Sequence, residues 1–273
     1  MAATGQHLIR LALGAAQSQA AGLDAADQAL MVSAVQMNAI ERLTPTQRAR
    51  VLERALMAPY PEGFFRALRD CAGLKRLLPE LDALFGVPHL CDQPEPMDTG
   101  EHQLRALAQA ARRGTPLAVR FAVLVHRIGM GGTPRLCWPS HPGHEVRGAV
   151  LLAALAARIA LPADVLDLAA LAIAECDHVH RASDLRAGPI AVLLDRVQAE
   201  ARPERFERLL QACICDYAAY AGHGEADYAK APRMRRALQA YLAVREPAQP
   251  HARLQARALA IARALAPDRE GRR

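Results

Sequence analysis

The sequence predicts an all-α protein. About one residue in five is alanine, which has the highest helix propensity, and only 4% of residues are aromatic. Apolar residues recur at helical spacing along most of the chain, and runs rich in Val, Ile, Thr and Tyr are scarce. These observations favour a chain of many helices that pack on one another.

The helix that begins near residue 45 has the clearest start signal. Thr44 can accept a hydrogen bond from a free helix N–H, and Pro45 suits the first helical position. Gln47 stands where a capping box requires a side-chain amide. The pattern predicts a helix from here to about Met57, where Pro59 interrupts it.

The remaining helices are bounded by Gly and Pro or by a change in periodicity. A loop at Gly86–Gly100, rich in Pro and Asp, divides the series. We predict helices at Ala2–Ala21, Asp24–Ile40, Phe64–Leu68, Leu74–Phe85, Glu101–Arg113, Pro116–His126, Gly143–Ile159, Pro162–Glu175, Gly188–Glu200, Glu204–Tyr220, Lys230–Val244 and Leu254–Leu265.

Composition points to the cytoplasm. No window of 18 or more apolar residues lacks charge, so no membrane span is expected. The stretch from Met1 to Arg10 has no basic region followed by a long apolar core, which argues against a secretory signal. The six cysteines form no CxxC pair, and we expect reduced, mostly buried thiols.

The charge distribution suggests an anionic polymer as partner. The formal net charge is +6, and it is carried mainly by arginine, which binds phosphate in a fork geometry. RNA is the partner we expect, rather than DNA or a membrane. The alternative is that the arginine content only reflects a GC-rich genome, whose codons favour arginine throughout. The candidate RNA contacts are Arg105, Arg112, Arg113, Arg120, Arg253, Arg257 and Arg263, the last three on a final amphipathic helix with Leu254, Ile261 and Leu265 on its other side.

Histidines are concentrated in the middle of the chain. Six of the ten lie between residues 102 and 180, namely His102, His126, His141, His144, His178 and His180. Such clustering suggests a metal site. The alternative is a set of polar residues in a shallow cleft, satisfied by water or neighbours.

Several segments, in order, resemble bacterial CCA-adding enzymes of the multifunctional type. The longest are Phe64–Leu74 and Leu78–Pro88. The others are Leu43-Thr44-Pro45, Asp98-Thr99-Gly100 with His102, Val119–Ala122 leading to His126, His141-Pro142-Gly143-His144 with Gly148, Ala174-Glu175, and Glu225–Tyr228. The resemblance covers residues 6 to 265.

The resemblance implies a division into three parts and several losses. Residues 1–90 match a helical neck, 97–200 a degenerate HD-type phosphohydrolase domain, and 201–273 a helical body and tail. The resemblance further implies that the family's nucleotidyltransferase head is missing, so we expect that the chain alone does not add nucleotides. The positions that select the incoming base in the neck fall on Thr4, Gly5 and Leu8, and those of a second neck motif on Thr46, Gln47 and Val51.

The same resemblance places an HD-type metal site in the middle domain. Its residual ligands would be His102, His126, His144, Asp177 and Asp216, and such sites hold Ni, Mn, Mg or Co and hydrolyse phosphate esters or cyclic phosphates. The metal-bridging aspartate, however, falls on Arg127, and a guanidinium stays charged and cannot ligate a cation. The lysine three residues later is Met130, and Cys176-Asp177-His178 stands in place of an aromatic-His-Asp sequence.

We therefore expect no catalytic residue, no required cofactor and a protein that is not an enzyme. The leading hypothesis is a headless relative that serves as a tRNA- or RNA-binding, or partner-binding, helical module. The first alternative is a divergent metal-dependent HD phosphohydrolase. The second is the partner subunit of a split tRNA nucleotidyltransferase, whose head lies on another polypeptide.

Overall fold

The computed structural model of the protein describes residues 2–18, 23–90, 96–181, 186–224, 226, 228–246 and 249–266. These residues form fourteen α-helices and one two-stranded sheet, which confirms the all-α class. No helix in the described ranges is long and apolar enough to cross a bilayer.

The helices and strands have the following bounds: α1 Ala2–Ala15, α2 Ala25–Gln36, α3 Pro45–Leu56, α4 Pro61–Asp70, α5 Leu74–Leu77, α6 Pro79–Asp82, β1 Pro88–His89, β2 Met97–Asp98, α7 Thr99–Arg112, α8 Leu117–Val125, α9 His144–Arg158, α10 Ala163–Arg181, α11 Ala187–Arg196, α12 Pro203–Tyr217, α13 Lys230–Ala243 and α14 Pro250–Ala264.

The predicted cap of α3 is confirmed. The Gln47 N–H donates to Thr44 Oγ1 at 3.2 Å, and the Thr44 N–H donates to Gln47 Oε1 at 2.8 Å. The two reciprocal bonds satisfy donors that a helix start otherwise leaves free.

Several predicted boundaries were wrong for backbone reasons. The helix predicted at Leu74–Phe85 is split into α5 and α6, because Pro79 has no N–H and forces Leu78 out of helical geometry, to φ −135° and ψ 72°. Helix α11 ends at Arg196 because Gln198 adopts a left-handed φ of 56°. The loop at Gly86–Gly100 contains a small antiparallel hairpin, with Pro88 opposite Asp98.

Helix α8 is the centre of the middle region. Every residue from Ala118 to Val125 is buried, and the helix packs against α7, α10 and α12. A helix that is buried on every side, with a single charged residue, is enclosed by other elements. The carboxyl end of α8 therefore lies in the protein interior, and the two residues that follow it, His126 and Arg127, are buried as well.

Candidate functional site

The candidate site is built around the carboxylate of Asp216, which lies on α12 and is 1% exposed. His102 of α7 and His126, which follows α8, place their Nε2 atoms 2.7 and 3.0 Å from Asp216 Oδ1. His180, in the last turn of α10, places its Nε2 3.0 Å from Asp216 Oδ2. Elements distant in sequence thus meet at one carboxylate.

Arg127 completes the ring around Asp216. Its Nη2 donates to Asp216 Oδ2 at 2.9 Å and its Nε donates to Oδ1 at 3.3 Å, so the pair is bidentate. The side chain of Arg127 is only 8% exposed. A fork of two donors on a planar, permanently charged group matches the geometry of a carboxylate.

Both members of this pair are charged despite their burial. Burial alone would raise the pKa of Asp216, but the charge of Arg127 and the neighbouring His102 hold that pKa well below its usual range. Burial alone would lower the pKa of Arg127, yet Asp216 and Tyr220 keep it well above the ordinary value. The centre of the site is therefore an internal ion pair.

The hydrogen bonds assign the proton of one of the two nearest imidazoles. A carboxylate only accepts, so the contact with Asp216 places a proton on Nε2 of His102, and the buried Nδ1 of His102 has no partner among the described residues. His126 Nδ1 lies 2.9 Å from Val123 O, an acceptor, and 3.2 Å from Gln103 Nε2, a donor. His102 therefore offers no lone pair toward Asp216, where a shared metal ion would need one.

An outer layer of polar side chains covers His102. The Thr99 hydroxyl donates to Val87 O at 2.7 Å, so His89 Nδ1 is the donor in its 3.1 Å contact with Thr99 Oγ1. The other ring nitrogen, Nε2, accepts from the Tyr220 hydroxyl at 3.2 Å. Burial, reinforced by the nearby charge of Arg127, lowers the pKa of His89 to about 2, so this imidazole is neutral.

The segment after Arg127 holds the site against α9. A Cβ on Gly129 would lie 1.9 Å from His144 O, so only glycine permits this approach. Arg147 of α9 donates from Nε to Gly129 O at 3.0 Å and from Nη2 to Thr133 Oγ1 at 2.7 Å. These contacts fix the start of α9, and with it His144, beside the buried pair.

Two other predicted ligands, His144 and Asp177, form a separate group with Glu145. His144 Nε2 lies 3.6 Å from Asp177 Oδ2, and one potential ligand atom from each of the three side chains lies within 4.8 Å of the others. Burial alone would raise the pKa of Asp177, but Arg127 and His144 lower it, so this carboxylate is ionised. The structure thus brings His102, His126 and Asp216 into direct contact, and it places His144 beside Asp177, near enough to Arg127 for its charge to act on Asp177.

The other clustered histidines have different surroundings. His141 donates from Nε2 to Pro88 O at 2.7 Å and ties its loop to the hairpin. His178 points outward, with its side chain 44% exposed. His180, absent from the predicted ligand set, faces Asp216 because α10 continues beyond the predicted end at Glu175. The helical spacing of Ile173, Cys176 and His180 was a signal for this continuation.

Burial removes two of the predicted RNA contacts. Arg120 is 6% exposed and donates to four backbone carbonyls. Three of these bonds are buried, to Thr115 O at 2.9 Å, Leu56 O at 2.8 Å and Ala58 O at 3.1 Å, and the longest, to Ala111 O at 3.5 Å, is partly buried. Arg257 is 2% exposed, and its guanidinium lies 4.0 Å from the Tyr241 ring centre. Arg257 shares the inner face of α14 with Leu254 and Ile261, so the expectation that it faced away from them was wrong.

The other predicted RNA contacts are at least partly accessible. Arg105, Arg112 and Arg263 are exposed, and Arg113 and Arg253 are half-buried. Arg113 donates to Gln109 O at 3.2 Å, which holds it along α7. The acidic pair Glu225 and Asp227, part of the segment that carried the family resemblance, lies outside the described residues.

Taken together, the fold and the site define a helical protein with a buried carboxylate enclosed by histidines and an arginine. Comparison with known proteins gives its relatives. The chain is 42% identical to the multifunctional CCA protein of Leptothrix cholodnii over 86% of the chain and 56% of that protein. It is 42% identical to that of Nitrosospira multiformis over 78% of the chain and 51% of the relative. The chain is 39% identical to the multifunctional CCA protein of Cupriavidus necator over 87% of the chain and 58% of that protein.

The chain therefore belongs to the multifunctional CCA protein family, as a relative of one region of those proteins. It spans about half the length of the curated relatives it matches. No protein-family model matches it.

Proposed function

We propose that this chain is a non-catalytic member of the family. Its helical body binds RNA, and the RNA is tRNA. The observation that carries the first half of the proposal is the bidentate pair between Arg127 and Asp216. The guanidinium supplies the positive charge that a divalent cation would otherwise supply to this carboxylate.

The donor set around Asp216 does not fit a metal ion. Metal binding would require Asp216 to leave Arg127, and His102 to give up the proton on Nε2. It would also bring a divalent cation next to a buried guanidinium, which is unfavourable at low dielectric. We therefore assign no hydrolytic step to this cluster.

The second half of the proposal depends on family membership and surface charge. The relatives are named CCA proteins, and the exposed arginines Arg105, Arg112 and Arg263 offer phosphate contacts. Binding through phosphates releases counterions, so the affinity should fall steeply as salt increases. Titration of labelled tRNA with the protein at a series of KCl concentrations tests this. Binding that is absent at low salt, or unaffected by salt, would contradict it.

A second candidate function is supported by the cluster of His144, Glu145 and Asp177. Three potential ligand atoms within 4.8 Å of one another could hold one divalent cation, and oxygen and imidazole ligands suit Mn or Ni. Metal-dependent cleavage of a cyclic phosphate by the protein, abolished by Asp177→Ala, would favour this phosphohydrolase over the first proposal. We expect no cleavage with any of the metals Ni, Mn, Mg or Co.

A further inference from the structure

The outer face of α9 is apolar along its whole length. We define this face by the exposed residues of the helix, which are Val146, Ala149, Val150, Ala153, Ala154 and Ala157. Val146 is 72% exposed and Val150 is 67% exposed. A surface helix ordinarily presents polar side chains to water, as α3 does, whose exposed residues after Pro45 are all polar.

Helix propensity explains the alanines of this face but not the valines. Alanine is the best helix former, whereas a β-branched valine loses side-chain freedom in a helix. Val146 and Val150 are also exposed, so they contribute little to the core of their own chain. Their apolar surface leaves water only when a second surface covers it.

The charged residues beside the outer face are held by their own chain. Arg147 donates to Gly129 O at 3.0 Å, and Arg158 forms an ion pair with Glu80. Glu145 belongs to the carboxylate group described above. A partner of the outer face therefore meets apolar side chains and has no need to desolvate a charge, which favours an apolar partner surface over a charged one.

The spacing of the outer face matches the seam of a coiled coil. Val146, Val150, Ala153 and Ala157 are separated by four, three and four residues, the alternation that keeps one seam of a helix toward a partner helix. The seam is about 17 Å long at the rise of an α-helix. The buried residues of α9 lie on its opposite side. The pattern therefore indicates another helix as the partner.

The seam is complementary to itself when two copies run antiparallel. A two-fold axis at the middle of the seam places Val146 opposite Ala157 of the second copy. The same axis places Val150 opposite Ala153 of the second copy. Each layer then joins one larger and one smaller side chain, so the two helices keep an even separation. A parallel pair would set valine on valine at one end and alanine on alanine at the other, which leaves a gap.

We infer that the outer face of α9 is a dimer interface, where two copies of this chain pack with their α9 helices antiparallel. Two faces about 17 Å long and about 10 Å wide are small beside the roughly 1,200 Å² of a stable interface. The dimer therefore forms and dissociates with protein concentration. This inference goes beyond the proposed function and does not depend on RNA binding.

Sedimentation velocity of the nuclease-treated whole chain, at roughly 5 to 500 µM, tests the inference. The mean mass of the wild type should rise with concentration from that of one chain toward that of two. Val150→Arg should weaken association roughly tenfold or more, because each dimer loses two buried valines and brings two charges together. Val192→Arg, at an exposed valine of α11, is the matched control and should associate as the wild type does. Circular dichroism should show both variants folded, since both positions are exposed.

Crosslinking tests the antiparallel register. Val146→Cys and Ala157→Cys proteins are prepared separately and treated with oxidised glutathione, which is reduced to glutathione as two thiols join in one disulfide. In an antiparallel pair like positions lie about 17 Å apart, too far for a disulfide, whereas Val146 lies opposite Ala157. We expect disulfide dimers when the two variants are mixed. Each variant alone should give no more dimer than the wild type, which reports the native cysteines.

Three results would overturn the inference. The first is wild-type protein that stays monomeric at every concentration, which would assign the outer face to a different partner. The second is association that survives Val150→Arg or that Val192→Arg weakens equally. The third is single cysteine variants that crosslink as well as the mixture does, which would exclude the antiparallel pair.

Discussion

Replacing Arg127 by methionine tests the energetics of the buried pair. The methionine side chain has a similar reach, but it would leave the Asp216 carboxylate, 1% exposed, without its charged partner. His102, His126 and His180 would still donate to or face the carboxylate, so its hydrogen bonds would survive in part. The main loss is therefore charge compensation.

The magnitude follows from the geometry. The closest atoms of the pair are 2.9 Å apart, and the charge centres are roughly 4 Å apart, which gives about 4 kcal/mol at an effective dielectric constant of about 20. Removal of one partner of a buried ion pair costs about 3–5 kcal/mol. We expect Arg127→Met to lower the free energy of unfolding by this amount at neutral pH.

Urea unfolding followed by circular dichroism measures this free energy, provided the transition is two-state. The exposed Arg112→Met, on α7, is the matched control and should change stability by less than about 0.5 kcal/mol. The double variant Arg127→Met/Asp216→Asn has no charge left to compensate and should be more stable than the sum of the two single changes predicts. An Arg127→Met protein as stable as its control would refute the ion pair as the centre of the site.

Three further predictions concern other residues of the structure. Burial lowers the pKa of His89 from 6.5 to about 2, so below pH 6.5 the unfolded chain binds more protons at this residue than the folded protein does. The free energy of unfolding of the wild type should therefore fall by about 2–3 kcal/mol between pH 6.5 and about pH 4.5 because of His89. Urea titrations should show that His89→Gln lacks this part of the pH dependence. Arg120→Met should lower stability by about 2–4 kcal/mol, because it leaves three buried carbonyls without their donor, while tRNA affinity of the folded protein stays at the wild-type value; a selective loss of tRNA binding would contradict the structural role. Gly129→Ala should lower the free energy of unfolding by about 1–3 kcal/mol or more, because its Cβ would collide with His144 O, whereas Gly188→Ala, which meets nothing within 4 Å, should be neutral or slightly stabilising.

The sequence alone was sufficient for the class of fold, and it led to a prediction about the chemistry of the site. Helical spacing located the main helices, and the fixed charge of Arg127 was enough to predict that it could not be a metal ligand. The partner of Arg127 was beyond sequence reasoning, because Asp216 lies 89 residues away and meets it only through the packing of α12 against α8.

The arginines show where sequence reasoning fails and why. Arg120 and Arg257 belong to the same arginine-rich segments as their exposed neighbours, so composition does not distinguish them. Only the packed structure shows that both side chains are buried. For Arg257 the helical periodicity predicts burial, because Arg257 stands three residues after Leu254 and four before Ile261 and so lies on the same helix face. For Arg120 the periodicity does not predict the hydrogen-bond partners, because two of the acceptors, Leu56 O and Ala58 O, lie at the end of another helix.

The central claim is that Arg127 takes the place of a divalent cation between His102, His126 and Asp216. Equilibrium dialysis against Mn²⁺ or Ni²⁺, with metal analysis of wild-type protein and of His102→Ala, tests this claim most directly. We predict the same metal content for both proteins, and no metal-dependent cleavage of cyclic phosphate, even for Arg127→Asp. A wild-type protein that holds one equivalent of metal, and loses it in His102→Ala, would contradict the claim.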